Sequence, residues 1–139
     1  MKLKRKSWSK ICLQICHSVS ERSSCKRLHV GCIITDTKHR TILGIGYNGN
    51  ARGLKNCCDD YQAQGACGCI HAEVNAALKC GVAQEHIKKH VYVTHLPCLN
   101  CAKTLINLGG VKKVFYANEY RKSKSKSILN KAKIKLIKG

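Results

Sequence analysis

The stretch HAEVNAALKC, residues 71–80, opens a helix, yet it places His71 and Glu73 two positions apart. Residues at that spacing point to nearly opposite sides of a regular helix, so no helical face can use both. At a helix N-terminus the restriction lifts, because both side chains can curl toward one point beyond the helix end. A second stretch, THLPCLNCAK at 94–103, carries Pro97, the only proline of the chain, directly before Cys98, with Cys101 three residues further on. Proline suits a helix's first turn, and cysteines three apart share a helix face near the positive end of its dipole, which lowers thiol pKa. For the two sets to act together, the fold has to bring two helix openings to one place.

His71, Cys98 and Cys101 offer three of the four ligands of tetrahedral Zn²⁺ and leave the fourth position for water, as catalytic zinc sites do. A CxxC pair alone also fits a redox couple or buried packing, but neither calls for His71 and Glu73 upstream. Three neutral histidines would leave the metal its full charge, whereas two thiolates cancel it and weaken the acidification of water. A separate base is then required, and Glu73 is the candidate. The competing reading is a structural zinc with Glu73 merely solvated.

The length of 139 residues suits one domain, spanning 1–139, with a packed core. A hydrophobic share of 44% is ordinary, whereas 26 Lys+Arg against 7 Asp+Glu gives a formal charge of +19 and points to an anionic partner. Eleven cysteines raise the possibility of a secreted disulfide scaffold, but the start, MKLKRKSWSKICLQICHSVS, is basic and lacks an apolar run of even five residues. No stretch approaches the roughly 18 apolar residues of a membrane span. The expectation is a soluble, cytoplasmic protein whose cysteines are buried thiols or metal ligands.

Periodicity predicts a helix over Ser7 to Val19, a hairpin of strands Val30 to Thr35 and Ile42 to Tyr47, and a loop from Arg52 to Cys69. The helix opened by HAE has Val74, Ala77 and Leu78 at helical spacing and Gly81 as its stop. A strand over His90 to Thr94 precedes a helix with Ala102, Leu105 and Ile106 on one face, ended by Gly109 and Gly110. Then come a strand from Val111 to Ala117, a short helix around Ser125 to Lys131, and a final edge strand in KIKLIK guarded by its charges. Strands alternating with helices predict a three-layer α/β/α sandwich on a mixed sheet of about five strands.

HxE paired with PCxxC is the established signature of zinc nucleobase deaminases. The likeness extends through SSCKRLHVGCIITD at 23–36, GIGYNGNARG at 44–53, HAEVNAAL at 71–78 and YVTHLPCLNCAKTLINLGGVKKVFY at 92–116. From about Ser23 to Tyr120 the chain resembles the deoxycytidylate deaminases, most of all the short phage-type members. Family members often carry a proline where Ala51 stands here.

The resemblance implies the cytidine-deaminase sandwich and the hydrolysis of dCMP to dUMP and ammonia, which feeds thymidylate synthesis. It implies that Glu73 moves a proton from water to N3 of cytosine, that Asn48 contacts the sugar and that the backbone at Ala72 meets the base. Asn48 is also half of an Asn-Gly pair, a favoured tight turn. Tyr120 and Arg121 are the implied phosphate contacts, with Arg27 a further candidate that could equally serve a structural ion pair. A homohexamer is implied as well, activated by dCTP with Mg²⁺ and inhibited by dTTP.

Cys57, Cys58, Cys67 and Cys69 crowd the loop before His71, and Cys25 stands in another loop, while Cys12, Cys16, Cys32 and Cys80 lie on elements where they pack. Some phage-type members have a second, structural zinc drawn from these same loops. The resemblance therefore implies a closed site of Cys25, one of Cys57 and Cys58, Cys67 and Cys69. Two rival functions share the zinc signature. One is a deaminase acting on RNA or single-stranded DNA, disfavoured by only seven aromatic residues. The other is a non-catalytic zinc protein that binds nucleic acid, in which Glu73 would have no use.

Overall fold

The computed structural model describes residues 2–58, 67–81, 86–120 and 123–139. Nine elements follow in order: α1 (Trp8–Ser20), β1 (Gly31–Asp36), β2 (Ile42–Tyr47), α2 (Ala72–Cys80), β3 (Lys89–His95), α3 (Leu99–Leu108), β4 (Val111–Asn118), α4 (Ser125–Lys131) and β5 (Lys135–Lys138). The five strands form one sheet in the order β2-β1-β3-β4-β5. β1 runs antiparallel to β2 and β3, while β3, β4 and β5 are parallel, joined through α3 and α4. The sheet is mixed and the sandwich has three layers, as the alternation of strands and helices predicts.

Among the described residues, helix α1 covers one face, where Cys12, Leu13 and Cys16 pack on Ile33 and Tyr92. Helices α2, α3 and α4 cover the other, with Ala76, Ala102, Leu105 and Leu129 buried against Ile34, Val91, Val93 and Val114. The glycine stops act where they were read. Ser7 caps α1 by accepting from the Lys10 N–H, and Gly81 and Gly109 end α2 and α3 with positive φ of 72° and 84°.

The buried face of α2 differs from the one that periodicity predicts. Ala72, Glu73, Ala76 and Cys80 are buried, whereas Leu78 is 71% exposed. Strand β2 gives the reason. A Cβ on Gly44 would stand 2.2 Å from the Ala76 carbonyl oxygen, and one on Gly46 would stand 2.3 Å from that of Ala72. The bare backbone admits only the small side chains of α2, so the helix lies flat on the strand with its larger apolar residues turned away. Pro97 also differs from expectation, since it precedes the cap residue Cys98 and lies outside the helical turn.

Candidate active site

Two helix starts carry the site. His71 is the N-cap of α2 with φ −69° and ψ 152°, and Cys98 is the N-cap of α3 with φ −70° and ψ 173°. Neither side chain makes a capping hydrogen bond. Extended backbone at both caps turns the two side chains away from their own helices. The chain enters His71 through paired hydrogen bonds between Gly49 and Ile70, of 2.7 and 3.1 Å. Asn75 adds a bond from its amide to the Tyr47 carbonyl. Strand β2 and its extension therefore set the position of α2's first turn.

The three predicted metal ligands meet. His71 Nδ1 lies 3.2 Å from Cys101 Sγ and 3.6 Å from Cys98 Sγ, and the three ligand atoms fall within 4.8 Å of one another. The Cys101 thiol beside it holds Cys98 down to about 3, helped by His71 against the cost of burial. Cys101 is pushed the other way, first by the Cys98 sulfur and then by burial. The two thiols and the imidazole stand close enough together to bind one cation. Glu73, 4% exposed, stands beside Cys101, and burial raises its carboxyl above the usual range. The donor set and the adjacent carboxylate fit Zn²⁺ with one open position.

One cleft contains Arg27, Asn48, His71, Ala72, Glu73, Cys98 and Tyr120 together. Asn48 is buried, accepting from the Val30 N–H at 2.9 Å and donating to the Leu28 carbonyl at 2.7 Å, so it pins the 28–30 segment to the end of β2. The Asn-Gly pair makes no hairpin turn here, because Gly49 bridges to Ile70. Arg121 lies outside the described residues. Sequence reasoning missed His95 and Leu28, which line the same cleft. His95 pairs through Nδ1 with Thr94 Oγ1 at 2.9 Å, and burial lowers its pKa. Its place at the strand end just before Pro97 was the available signal.

A four-thiol group forms a neighbouring wall. Among the described residues, the sulfurs of Cys25, Cys58, Cys67 and Cys69 fall within 4.8 Å of one another. Cys25 and Cys67 are 3.9 Å apart, and Cys58 and Cys69 are 3.5 Å apart. Four sulfurs around zinc at about 2.3 Å stand roughly 3.8 Å apart, so the spacing fits. Between the adjacent cysteines the fold selects Cys58, whose sulfur also accepts from the Lys26 N–H. Burial opposes ionisation of Cys25, but the Arg27 and Leu28 N–H groups and its neighbouring thiols outweigh it and lower its pKa. At the position where family members often have proline, the Ala51 N–H donates to Asn50 Oδ1 at 2.8 Å, a bond that proline could not make.

Residues 6–118 match the family described as "Cytidine and deoxycytidylate deaminase zinc-binding region". The chain is 39% identical over 132 residues to ComE operon protein 2 of Bacillus subtilis, with 86% of this chain and 64% of that protein covered. It therefore spans a little under two thirds of that relative's length. It is 32% identical over 131 residues to the deoxycytidylate deaminase of Mycobacterium phage D29, covering 84% of this chain and 99% of that one. The crystal structure of dCMP deaminase from the cyanophage S-TIM5, in complex with dCMP and dUMP, superposes with a TM-score of 0.81 at 30% identity, covering 99% of this chain and all of the other. With the HxE and PCxxC residues gathered at paired helix starts, these matches establish that the chain belongs to the zinc-dependent cytidine and deoxycytidylate deaminase family.

Proposed function

We propose that this protein deaminates dCMP to dUMP and ammonia. The observation that carries the reading is the single cleft in which Glu73, His71 and Cys98 stand together with Arg27, Asn48 and Tyr120. His71, Cys98 and Cys101 would hold the zinc, which would supply Lewis acidity toward water. Glu73 accepts the proton of the attacking water, delivers it to N3 of cytosine and then serves the departing amine. Burial favours its protonated form, which suits a group that takes up a proton and returns it. The Ala72 backbone meets the base and Asn48 the sugar. Arg27 and Tyr120 hold the 5′-phosphate, with Arg121 as a further contact.

The four-thiol group, on this reading, holds a second zinc that ties the Cys25 loop to the segment entering His71. Family membership supports a homohexamer governed by dCTP with Mg²⁺ and by dTTP, and a role in providing dUMP for thymidylate synthesis. Among the described residues no helix is long and apolar enough to cross a membrane.

Ammonia release on dCMP, deoxycytidine, dCTP, single-stranded DNA and tRNA tests the proposal. Charge-assisted phosphate recognition should favour dCMP over deoxycytidine by roughly tenfold or more in kcat/KM. Equal efficiencies would make it a nucleoside enzyme, and release from the polymers alone would favour the nucleic-acid deaminase.

A further inference from the structure

Opposite the cleft, the rim formed by the starts of β3, β4 and β5 gathers positive charge in positions that cost stability. Along the α1 face, His90 of β3 stands in register with Lys113 of β4, and Lys113 in register with Lys135 of β5. Burial holds His90 toward its neutral form, so the like charges set side by side are those of Lys113 and Lys135, an arrangement that is destabilising on neighbouring strands. The row continues past β1, because the His39 ring lies 5.5 Å from that of His90, between the exposed Lys38 and Arg40. The acid at this rim, Asp36, accepts from the Arg40 N–H. Both ion pairs among the described residues involve Glu119, at the far end of β4.

The start of α1 lies over the same rim and repeats the conflict. Lys4, Arg5 and Lys6 precede it, Lys10 lies within its first turns, and its first turn holds no acid. Cations at a helix N-terminus oppose the dipole. Trp8, the only tryptophan, stacks on His39 with ring centroids 5.4 Å apart and planes 5° from parallel, yet remains 55% exposed. His39 holds this position in the left-handed region, at φ 56°, which side chains other than glycine rarely adopt. Three locally unfavourable choices at one rim are consistent with a partner that offsets them.

We propose that this rim binds single-stranded nucleic acid, with Lys113, Lys135, Lys38 and Arg40 along its phosphates and Trp8 stacked on a base. Cations alone would accept any polyanion, but an exposed aromatic face backed by His39 favours unpaired bases over a duplex. From His90 to His95 the strand places this surface about 16 Å from the cleft, so binding here is separate from deamination.

Trp8 is its own reporter. Oligo-dT and oligo-U should quench its fluorescence. By anisotropy of a labelled strand, Trp8→Ala should weaken binding about fivefold or more. Lys113→Gln with Lys135→Gln should lower the slope of log K against log salt by roughly 1.4, since each phosphate contact on a single strand contributes about 0.7. All these variants should retain dCMP turnover. Lys79→Gln with Lys103→Gln, on helices of the opposite layer, removes equal charge and should leave the slope nearly unchanged. Equal losses from the two lysine pairs would reduce the surface to diffuse charge and overturn the proposal. So would a duplex or polyglutamate bound as tightly as the single strand, or binding without quenching.

Discussion

Gly46 lies directly beneath the first residue of α2: a Cβ there would stand 2.3 Å from the Ala72 carbonyl oxygen and 2.5 Å from the Ala76 nitrogen. Both obstacles are backbone, so the helix itself has to move. Because His71 caps this helix and Glu73 lies in its first turn, Gly46→Ala should shift the ligand and the base together. A stability loss of about 1–3 kcal/mol in urea titration is expected. Loss of zinc affinity and turnover should accompany it. An active variant of unchanged stability would show that the contact does not position the site.

Glu73 sets function against stability. Burial raises its folded pKa, so its contribution is present below the unfolded value of about 4.3 and is lost as pH rises through the folded value. In metal-free protein this contribution should fall on going from acid to neutral pH. Glu73→Gln should abolish that fall and melt higher than the parent at pH 7. The same variant should retain zinc and lose turnover by about 10²- to 10⁴-fold. Retention of turnover within tenfold would remove Glu73 from the proton path.

The adjacent cysteines 57 and 58 separate in metal analysis. Cys58 lies in the four-thiol group and Cys57 does not. Protein purified without added zinc should hold about two zinc per chain. Cys58→Ser should lower this to about one, whereas Cys57→Ser should keep both. Cys98→Ala should remove the other zinc and all activity. One zinc in the parent protein, lost with Cys98, would exclude the second site.

Lys89 is fully buried, and its Nζ donates to the carbonyls of Ile87 and Gly109 at 2.8 and 2.9 Å. It ties the entry of β3 to the cap of α3. Lys89→Met leaves those carbonyls without this donor and should cost about 3 kcal/mol. Turnover per folded molecule should be unchanged, because Lys89 and the cleft lie at opposite ends of β3. A neutral effect in urea titration would show that the lysine is dispensable.

Element ends were legible in the sequence because they are local. Ser7 at the start of α1 and Gly81 and Gly109 after α2 and α3 act on hydrogen bonds within a few residues, whatever surrounds them. The candidate site residues were legible for a similar reason, since His71, Glu73, Cys98 and Cys101 occupy two short windows whose residue types have few other uses together. Their convergence belongs to the sheet, which sets the starts of α2 and α3 side by side. Only tertiary structure could bury Ala72 and Ala76 in place of Leu78, because the deciding groove is made by glycines on another element. The choice of Cys58 over Cys57 likewise depends on where Cys25 and the pair Cys67 and Cys69 arrive from elsewhere in the chain. Lys89 reads as an exposed charge until the carbonyls of Ile87 and Gly109 close around it. The sequence alone specified which residue types were present and placed each element to within about two residues. Close approach between elements decided which of those residues face one another, because packing depends on partners that no local window contains.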